Sequence, residues 1–291
     1  MINGTGVKSR LALWCACLCI NASAYAGTSC DKAVDVDPTK LMQALELAEQ
    51  TRQTLLQHNA TTAIMARVGQ DLSRYGLRYS HLGLVYQTKP GHFAVLHELN
   101  ECGSDKSGLY REGLGNFFLD DVHAFEALIL LPPAALQPKI QQLLQSELAL
   151  SSHHSHYNML AYPFDDTYQN SNQWGLELLS HILSPAKLNG RPAVQKWLKQ
   201  QQYQPGVIEV DPLSRMGAAV FRANVSFTEH PLKQRLNGSY EVVTVESVDA
   251  FLQKQWPQMQ RLVLQLPASQ PGVQTGVQTD VQADVQAAKT R

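Results

Sequence analysis

The sequence predicts an α+β fold in which an antiparallel sheet packs against helices, and three observations support this. Residues 39–58 carry leucines and alanines at helical spacing, with charged residues elsewhere on the surface. Residues 78–87 and 93–100 are strand-like apolar runs separated by a Lys-Pro-Gly turn, which is typical of a hairpin. Further helical patterns cover 136–148 and the segment that begins near Ser171.

The remaining elements extend this pattern along the chain. In chain order they are a strand at 63–68, a helical run from 116 to 131, a helix at 192–202, strands at 218–227 and 239–245, and a helix at 247–259. The sheet is therefore expected to combine strands from the 63–100 region with strands from the 218–245 region.

The N-terminus is typical of a secretory signal. Lys8 and Arg10 precede the apolar run at 11–20, and Ala24-Tyr25-Ala26 forms an A-x-A cleavage site. Ten apolar residues are too few to cross a bilayer. We therefore expect a signal peptide at 1–26, a periplasmic mature protein, and no transmembrane segment after processing. A lipoprotein signal is the alternative, since cysteines lie in the apolar run.

The mature chain is expected to form a single domain, 27–267, followed by a disordered tail, 268–291. The tail contains the four-residue repeat VQTGVQTDVQADVQ and lacks aromatic and bulky side chains other than valine, so it cannot build a core.

Charge and motifs exclude several classes of function. The net charge is −1, and removal of Lys8 and Arg10 makes it −3, so the chain has no broad basic field for nucleic acid. Neither a phosphate-binding glycine loop nor a G-x-S-x-G motif occurs, and we predict no cofactor. The histidines at 153–156 could bind a transition metal, but a polar loop without spaced acidic or thiol ligands favours solvent exposure. We predict no metal site.

Two cysteines, Cys30 and Cys102, lie outside the signal. In an oxidising compartment such a pair is expected to form a disulfide. The long loop it closes would contribute about 4 kcal/mol in the chain-entropy description. A catalytic Cys102 is the alternative.

His81 is a candidate general base. Side chains alternate along a strand, and the hairpin would place either His97 or Glu98 beside His81, depending on the register. A histidine with a polar neighbour that fixes its tautomer is the base and orienting pair of nucleophilic catalysis. A strand histidine held by structural hydrogen bonds is the alternative.

Ser171 is a candidate nucleophile, because it lies in the polar segment NSNQW, residues 170–174, where a helix is expected to begin. Serine and asparagine are favoured N-caps, which gives the segment a purely structural interpretation. A hydroxyl at a helix N-terminus also meets the positive end of the dipole, and backbone N–H groups there can hold an oxyanion.

The segments VGQ at 68–70 and YSHLGLVY at 79–86, followed by a second strand, resemble the permuted NlpC-type papain-like peptidases and acyltransferases. The resemblance places His81 at the family histidine, His97 at the orienting residue, and Asn170-Ser171 at the N-C motif that opens a helix. Ser171 stands where the family has its nucleophilic cysteine. This chain therefore departs from the thiol catalysis of that family.

A second resemblance covers roughly residues 30 to 265. The segments YGLRYSH at 75–81, HELN at 97–100, NFFLD at 116–120 and QNSNQW at 169–174 are similar to the bacterial exported family called domain of unknown function 2145. That family has no assigned activity.

The leading functional expectation is a periplasmic papain-like hydrolase or acyltransferase that acts on a cell-envelope amide or ester. Ser171 would attack, His81 would act as base and then acid, and His97 or Glu98 would orient it. Asn170, Asn172, Gln173 and Trp174 would contact substrate. The alternative is a non-catalytic module that uses the same cleft to bind peptidoglycan, lipid or peptide.

Overall fold

The computed structural model describes residues 37–120, 122–221 and 223–267. The strands are β1 Thr62–Val68, β2 His81–Lys89, β3 His92–Asn100, β4 Ser107–Gly113, β5 Ala124–Leu131, β6 Gly206–Glu209, β7 Ser239–Val242 and β8 Gln260–Gln265. The helices are α1 Pro38–Gln57, α2 Leu114–Leu119, α3 Gln137–Leu144, α4 Glu147–Ser151, α5 Ser171–Leu183, α6 Gly190–Gln200, α7 Pro212–Phe221, α8 Leu232–Asn237 and α9 Val245–Gln255. The expected signal peptide and tail lie outside the described residues.

A six-stranded antiparallel sheet forms the centre of the fold, in the order β4-β3-β2-β1-β5-β8. One face packs against α1 and α2 through residues such as Val85 and Val95. The opposite face packs against α3 and α5 through residues such as Leu82, Leu84 and Leu96. The predicted α+β class, with helices packed against an antiparallel sheet, is confirmed.

The prediction of a helical run up to Leu131 was wrong, because residues 124–131 form the internal strand β5. Its apolar residues from Ala127 to Leu131 are all buried, since helices cover both faces of the sheet. A short, continuous apolar run has no period that distinguishes a buried strand from a buried helix.

The predicted contribution of 218–245 to the main sheet was also wrong. The alternating segment at 218–227 includes the end of α7, and β7 pairs with β6 in a separate two-stranded sheet. The sixth strand of the main sheet is instead β8, which pairs with β5. Burial alternates along part of the edge strand β8. The strand has only six residues and follows a proline break, so its pattern was too weak to predict a strand.

Two glycines bring the elements around the candidate site into close contact. A Cβ on Gly175 of α5 would lie 2.6 Å from Leu82 Cδ2, so this glycine allows the helix to approach β2. A Cβ on Gly83 would lie 2.4 Å from Val95 Cγ1 and 2.9 Å from Phe117 Cε2. The start of α5, the start of β2 and the middle of β3 therefore converge at one end of the sheet.

Candidate active site

Ser171 and His81 meet where α5 and β2 begin. Ser171 is the first residue of α5, and the Asn170 side chain caps that helix by accepting a hydrogen bond from the Gln173 backbone N–H at 2.8 Å. Ser171 Oγ lies 3.2 Å from Nδ1 of His81, the first residue of β2. The predicted nucleophile and the predicted base are therefore within hydrogen-bond reach of each other.

The contact continues through two further side chains. His81 Nε2 lies 2.9 Å from His97 Nδ1, and His97 Nε2 lies 3.2 Å from Glu112 Oε2. His97 is completely buried, whereas the Glu112 side chain is 24% exposed. Ser171, His81, His97 and Glu112 thus form one hydrogen-bonded chain, which we call the Ser–His–His–Glu relay.

When Glu112 is ionised, its carboxylate fixes the direction of every hydrogen bond in the relay. A carboxylate only accepts, so His97 Nε2–H donates to it, and neutral His97 then has an unprotonated Nδ1. That nitrogen accepts from His81 Nε2–H, which leaves His81 Nδ1 unprotonated. Ser171 Oγ–H therefore donates to His81, the arrangement required before proton transfer from the hydroxyl.

Burial and a nearby cation keep both imidazoles neutral. Burial lowers the pKa of His81 well below its ordinary value, and the positive charge of Arg67 lowers it further. Burial and Arg67 likewise lower the pKa of His97, to about 4. Burial raises the pKa of Glu112, and the charge of Asp120 adds to this shift. His81 is therefore available as a base at neutral pH.

Phe117 supports the relay from the α2 side of the sheet. Its ring centroid lies 5.9 Å from that of His81 and 5.3 Å from that of His97. The Arg67 guanidinium also packs on Phe117, with its Cζ 4.9 Å from the ring centroid. Arg67 donates hydrogen bonds to the Phe117 carbonyl and to the Asp120 carboxylate. This packing fixes the two imidazole planes.

The N-terminus of α5 leaves backbone donors next to Ser171. The cap engages the N–H groups of Gln173 and Trp174, whereas the first N–H groups of a helix have no intrahelical partner. The N–H groups of Ser171 and Asn172 are thus placed to stabilise an oxyanion. Ser171 is 6% exposed and His81 is 8% exposed, so access to the site is narrow.

Glu98 does not contact His81. Strand alternation directs its side chain to the face opposite His97, where it is fully buried. Burial raises the pKa of Glu98 to about 8, and the charge of Glu177 contributes to this increase. Between the two predicted orienting residues, the structure brings His97 to His81.

The four predicted substrate contacts have different surroundings. Asn170 caps α5, and Asn172 donates to the Val243 carbonyl at 3.4 Å, with its own carbonyl oxygen unpaired among the described residues. Gln173 donates to Glu177 at 3.0 Å. Trp174 is fully buried in the core and donates to the Ala149 carbonyl. Asn172, which is 8% exposed, is the most exposed of the four.

A buried polar network lies under the start of α5, and sequence reasoning missed it. Glu177 accepts hydrogen bonds from Gln169, Gln173, Gln195 and Arg191. Arg191 also binds the carbonyls of residues 166 and 168, and thereby ties the segment before Ser171 to α6. A cavity of about 250 Å³ adjoins Glu177 and Arg191 rather than Ser171.

Glu112, which contacts His97, and Tyr157, which lies beside Ser171, were also missed. Glu112 lies on β4, which the sequence analysis did not predict, because residues 107–113 (SGLYREG) do not alternate between apolar and polar side chains. Tyr157 is buried beside Ser171. Burial raises the pKa of Tyr157, and its hydrogen bond with Ser171 opposes that shift.

A second serine–histidine pair offers a comparison. Ser107 Oγ lies 3.0 Å from His153 Nε2, but no hydrogen bond from His153 to an orienting side chain is present among the described residues. His154 binds the Thr167 carbonyl and packs against His156. In the described part of the chain, no three His, Cys, Asp or Glu side chains are grouped as metal ligands.

Cys102 is disulfide-bonded. Its predicted partner, Cys30, lies outside the described residues. A disulfide-bonded cysteine has no free thiol, so this state does not fit the alternative of a catalytic Cys102.

Comparisons with known proteins identify the family but not an activity. Residues 54–252 match a family described as uncharacterized protein conserved in bacteria, domain of unknown function 2145. No curated protein and no solved structure matches the chain. The matched region includes all four members of the relay, and the chain belongs to this uncharacterised bacterial family.

Proposed function

We propose that the chain is a serine-dependent hydrolase or acyltransferase that acts on an amide or ester. The observation that carries this proposal is the Ser–His–His–Glu relay, with Ser171 Oγ 3.2 Å from His81 Nδ1. A neutral, buried base next to a hydroxyl at a helix N-terminus is the arrangement needed to activate a weak nucleophile.

In the first step, Ser171 Oγ attacks the substrate carbonyl carbon while His81 Nδ1 takes the hydroxyl proton. The resulting imidazolium is stabilised by its hydrogen bond to His97, which in turn binds Glu112. The negative charge moves to the carbonyl oxygen, where the backbone N–H groups of Ser171 and Asn172 stabilise it.

The tetrahedral intermediate then collapses. The bond between the carbonyl carbon and the leaving nitrogen or oxygen breaks, His81 returns its proton to that atom, and an ester remains on Ser171. Water, or an acceptor amine or alcohol, loses a proton to His81 and attacks the ester. The products are an acid in hydrolysis or a new amide or ester in transfer, and Ser171 regains its hydrogen.

The order of the active-site residues supports a permuted papain-like arrangement. The histidine is on one strand, its orienting residue is on the next strand, and the nucleophile begins a later helix, as in the NlpC-type enzymes. Ser171 replaces cysteine, and a serine hydroxyl depends more strongly on its base than a thiol does. His97 and Glu112, which continue the relay beyond His81, orient this base.

The proposed substrate lies in the cell envelope. This part of the proposal rests on the expected signal peptide at 1–26, which would deliver the protein to the periplasm. Peptidoglycan, lipids and peptides in that compartment all contain amide or ester bonds.

A non-catalytic binding module is the second candidate. The narrow access to Ser171, 6% exposed, and the replacement of cysteine favour it. In this case Ser171 would only form a structural hydrogen bond with His81 at the start of α5, and the neighbouring Asn172 would contact a ligand.

Purified exported protein incubated with envelope fractions distinguishes the two candidates. The catalytic proposal predicts release of new carboxyl groups by the wild type, and a loss of at least about a thousandfold in Ser171→Ala and His81→Ala. The Ser107→Ala variant, which alters the other serine–histidine pair, is the matched control and should retain activity. Equal turnover by all four proteins would refute the proposed mechanism.

A further inference from the structure

Asn172 directly follows the nucleophile and carries a buried hydrogen-bond acceptor without a donor. Its side-chain oxygen Oδ1 is buried and unpaired within the part of the chain that the structure describes. Most buried polar groups in folded proteins are hydrogen-bonded, because an unpaired buried oxygen loses its bonds to water and gains nothing in return. A free acceptor beside the nucleophile therefore points to a donor that a ligand brings.

The Asn172 amide can be oriented from its one hydrogen bond. One end of the amide lies 3.4 Å from the carbonyl of Val243, the residue before the α9 cap Thr244. A backbone carbonyl only accepts, so the end of the amide that faces Val243 is its NH2 group. Oδ1 is therefore the end directed away from Val243.

Asn172 lies on the same side of α5 as Ser171. Ser171 and Asn172 precede Gly175 by four and three positions, and residues at these spacings share a helix face. That face packs on β2, because a Cβ on Gly175 would lie 2.6 Å from Cδ2 of Leu82, the residue after His81. The unpaired acceptor and the nucleophile thus share the side of the helix that meets the base.

Gln173 provides a contrast on the same helix. Its side-chain oxygen Oε1 is also buried and unpaired among the residues described. The Gln173 amide, however, donates to Glu177 one helical turn further on, at 3.0 Å, and so faces the buried network beneath the helix. Gln173 is 1% exposed, compared with 8% for Asn172. Of the two acceptors, the one on Asn172 is placed to meet a substrate.

The start of α5 therefore offers donors and an acceptor side by side. The backbone N–H groups of Ser171 and Asn172 are the donors for the oxyanion, and Asn172 Oδ1 is the acceptor. An N-acylated amino acid has the complementary pattern, because one carbon atom separates its N–H from its carbonyl group. A fatty acyl group has no N–H and would leave Oδ1 without a donor.

We propose that Asn172 selects substrates whose acyl group is an N-acylated amino acid, because Oδ1 accepts a hydrogen bond from the substrate N–H. This inference rests on the proposed function. It narrows the substrate from amides and esters in general to those with a peptide on the acyl side. A site built to bind an N–H discriminates against the analogue that lacks it.

Two p-nitrophenyl esters that differ at one position test this role in the purified exported protein. The ester of N-acetylglycine carries the N–H, and the ester of 4-oxopentanoic acid has a CH2 group in its place. The measured quantity is the ratio of kcat/KM for the first ester to kcat/KM for the second. Intrinsic differences in ester reactivity cancel when this ratio is compared between a variant and the wild type.

Asn172→Leu removes the acceptor at similar side-chain volume, and the ratio should fall about tenfold, the effect of one hydrogen bond. Asn172→Asp keeps an oxygen acceptor. Its negative charge near the oxyanion should slow both esters, but the wild-type ratio should be retained, which a purely structural role would not produce. Asn189→Leu is the matched control, at an exposed position before α6 with no side-chain capping bond, and should leave both rates unchanged.

Urea unfolding checks that each variant is folded, and Asn172→Ala replaces Asn172→Leu if the apolar side chain is not tolerated. An unchanged ratio in Asn172→Leu or Asn172→Ala would overturn the role of Asn172 while leaving the proposed function in place. Equal loss of the ratio in Asn172→Asp would do the same. A wild type that hydrolyses both esters no faster than Ser171→Ala would overturn the proposed function as well.

Discussion

Ser171 Oγ and His81 Nδ1 lie 3.2 Å apart, although 90 residues separate them in the chain. Gly175 allows this approach, because a Cβ at this position would lie 2.6 Å from Leu82 Cδ2, and either the Leu82 side chain or α5 would have to shift. The strand that begins with His81 and the helix that begins with Ser171 are therefore packed directly against each other.

Substitution of Glu112 tests the direction of the relay. Glu112→Leu removes the acceptor that holds His97 Nε2–H, so the tautomer of both imidazoles is no longer fixed. We expect a fall in kcat/KM of about tenfold to a hundredfold, the value of one hydrogen bond to a charged group. Glu112→Gln retains an acceptor oxygen and should lose less. Equal activity of both variants and the wild type would show that Glu112 has no part in orienting the base.

The protonation state of His81 can be measured directly by histidine NMR. Because burial and Arg67 lower the pKa of His81 well below 6.5, its ring should remain neutral from pH 8 down through pH 6.5. Spectra of His81→Ala assign the signal, and exposed imidazoles in the same sample provide an internal reference. A His81 midpoint at or above pH 6.5 would contradict the electrostatic description of the site.

Gly83→Ala should destabilise the fold and disturb the relay together. The new methyl group would lie 2.4 Å from Val95 Cγ1 and 2.9 Å from Phe117 Cε2, so Phe117 must move away from the imidazoles. Overpacking of this kind costs about 1–3 kcal/mol in the free energy of unfolding.

The control for this substitution is Gly217→Ala on α7, where a Cβ meets nothing within 4 Å. Alanine is also the better helix former there, so urea unfolding should show equal or greater stability, by up to about 1 kcal/mol. Equal stability of Gly83→Ala and wild type would show that the Phe117 layer is looser than its contacts indicate.

Glu98 should make the folded protein less stable as pH rises. Its pKa is raised from 4.5 to about 8 in the folded state, so the native protein holds a proton that the unfolded chain releases. This contribution is fully present below pH 4.5 and is lost as pH rises through about 8, with an order of magnitude of a few kcal/mol.

Chemical unfolding of Glu98→Gln between pH 5 and pH 9 measures this effect. The variant keeps a neutral side chain at every pH, so its stability relative to wild type should increase over that interval. Glu46→Gln, at an exposed position on α1, should follow the wild type. A constant difference between Glu98→Gln and wild type would mean that Glu98 is ionised in the fold throughout.

The sequence predicted the fold class and singled out His81, His97 and Ser171 as candidates, because both inferences depend on local patterns. The apolar alternation around His81 and the polar cap before Ser171 are visible within ten residues. The hairpin turn limited the orienting residue to His97 or Glu98, and only the register and strand alternation in the folded sheet distinguish between them.

Other features depend on tertiary contacts that no short segment reveals. The run at 124–131 is apolar throughout, and only its place between β1 and β8 makes it a strand. Glu112 joins the site because β4 pairs with β3. His97 lies opposite Tyr110, and Glu112, two residues further along β4, is on the same face of the sheet. Trp174, predicted to contact substrate from its place in a polar motif, is turned into the core by the helical rotation of α5.

Covalent labelling tests the central claim most directly, because it requires no knowledge of the substrate. A small fluorophosphonate should react with wild-type protein, with loss of fluoride, and intact mass and peptide analysis should place one adduct on Ser171. Ser171→Ala and His81→Ala should remain unlabelled, whereas Ser107→Ala should react like the wild type. An unlabelled wild type, an adduct on Ser107, or unchanged labelling of His81→Ala would contradict activation of Ser171 by His81.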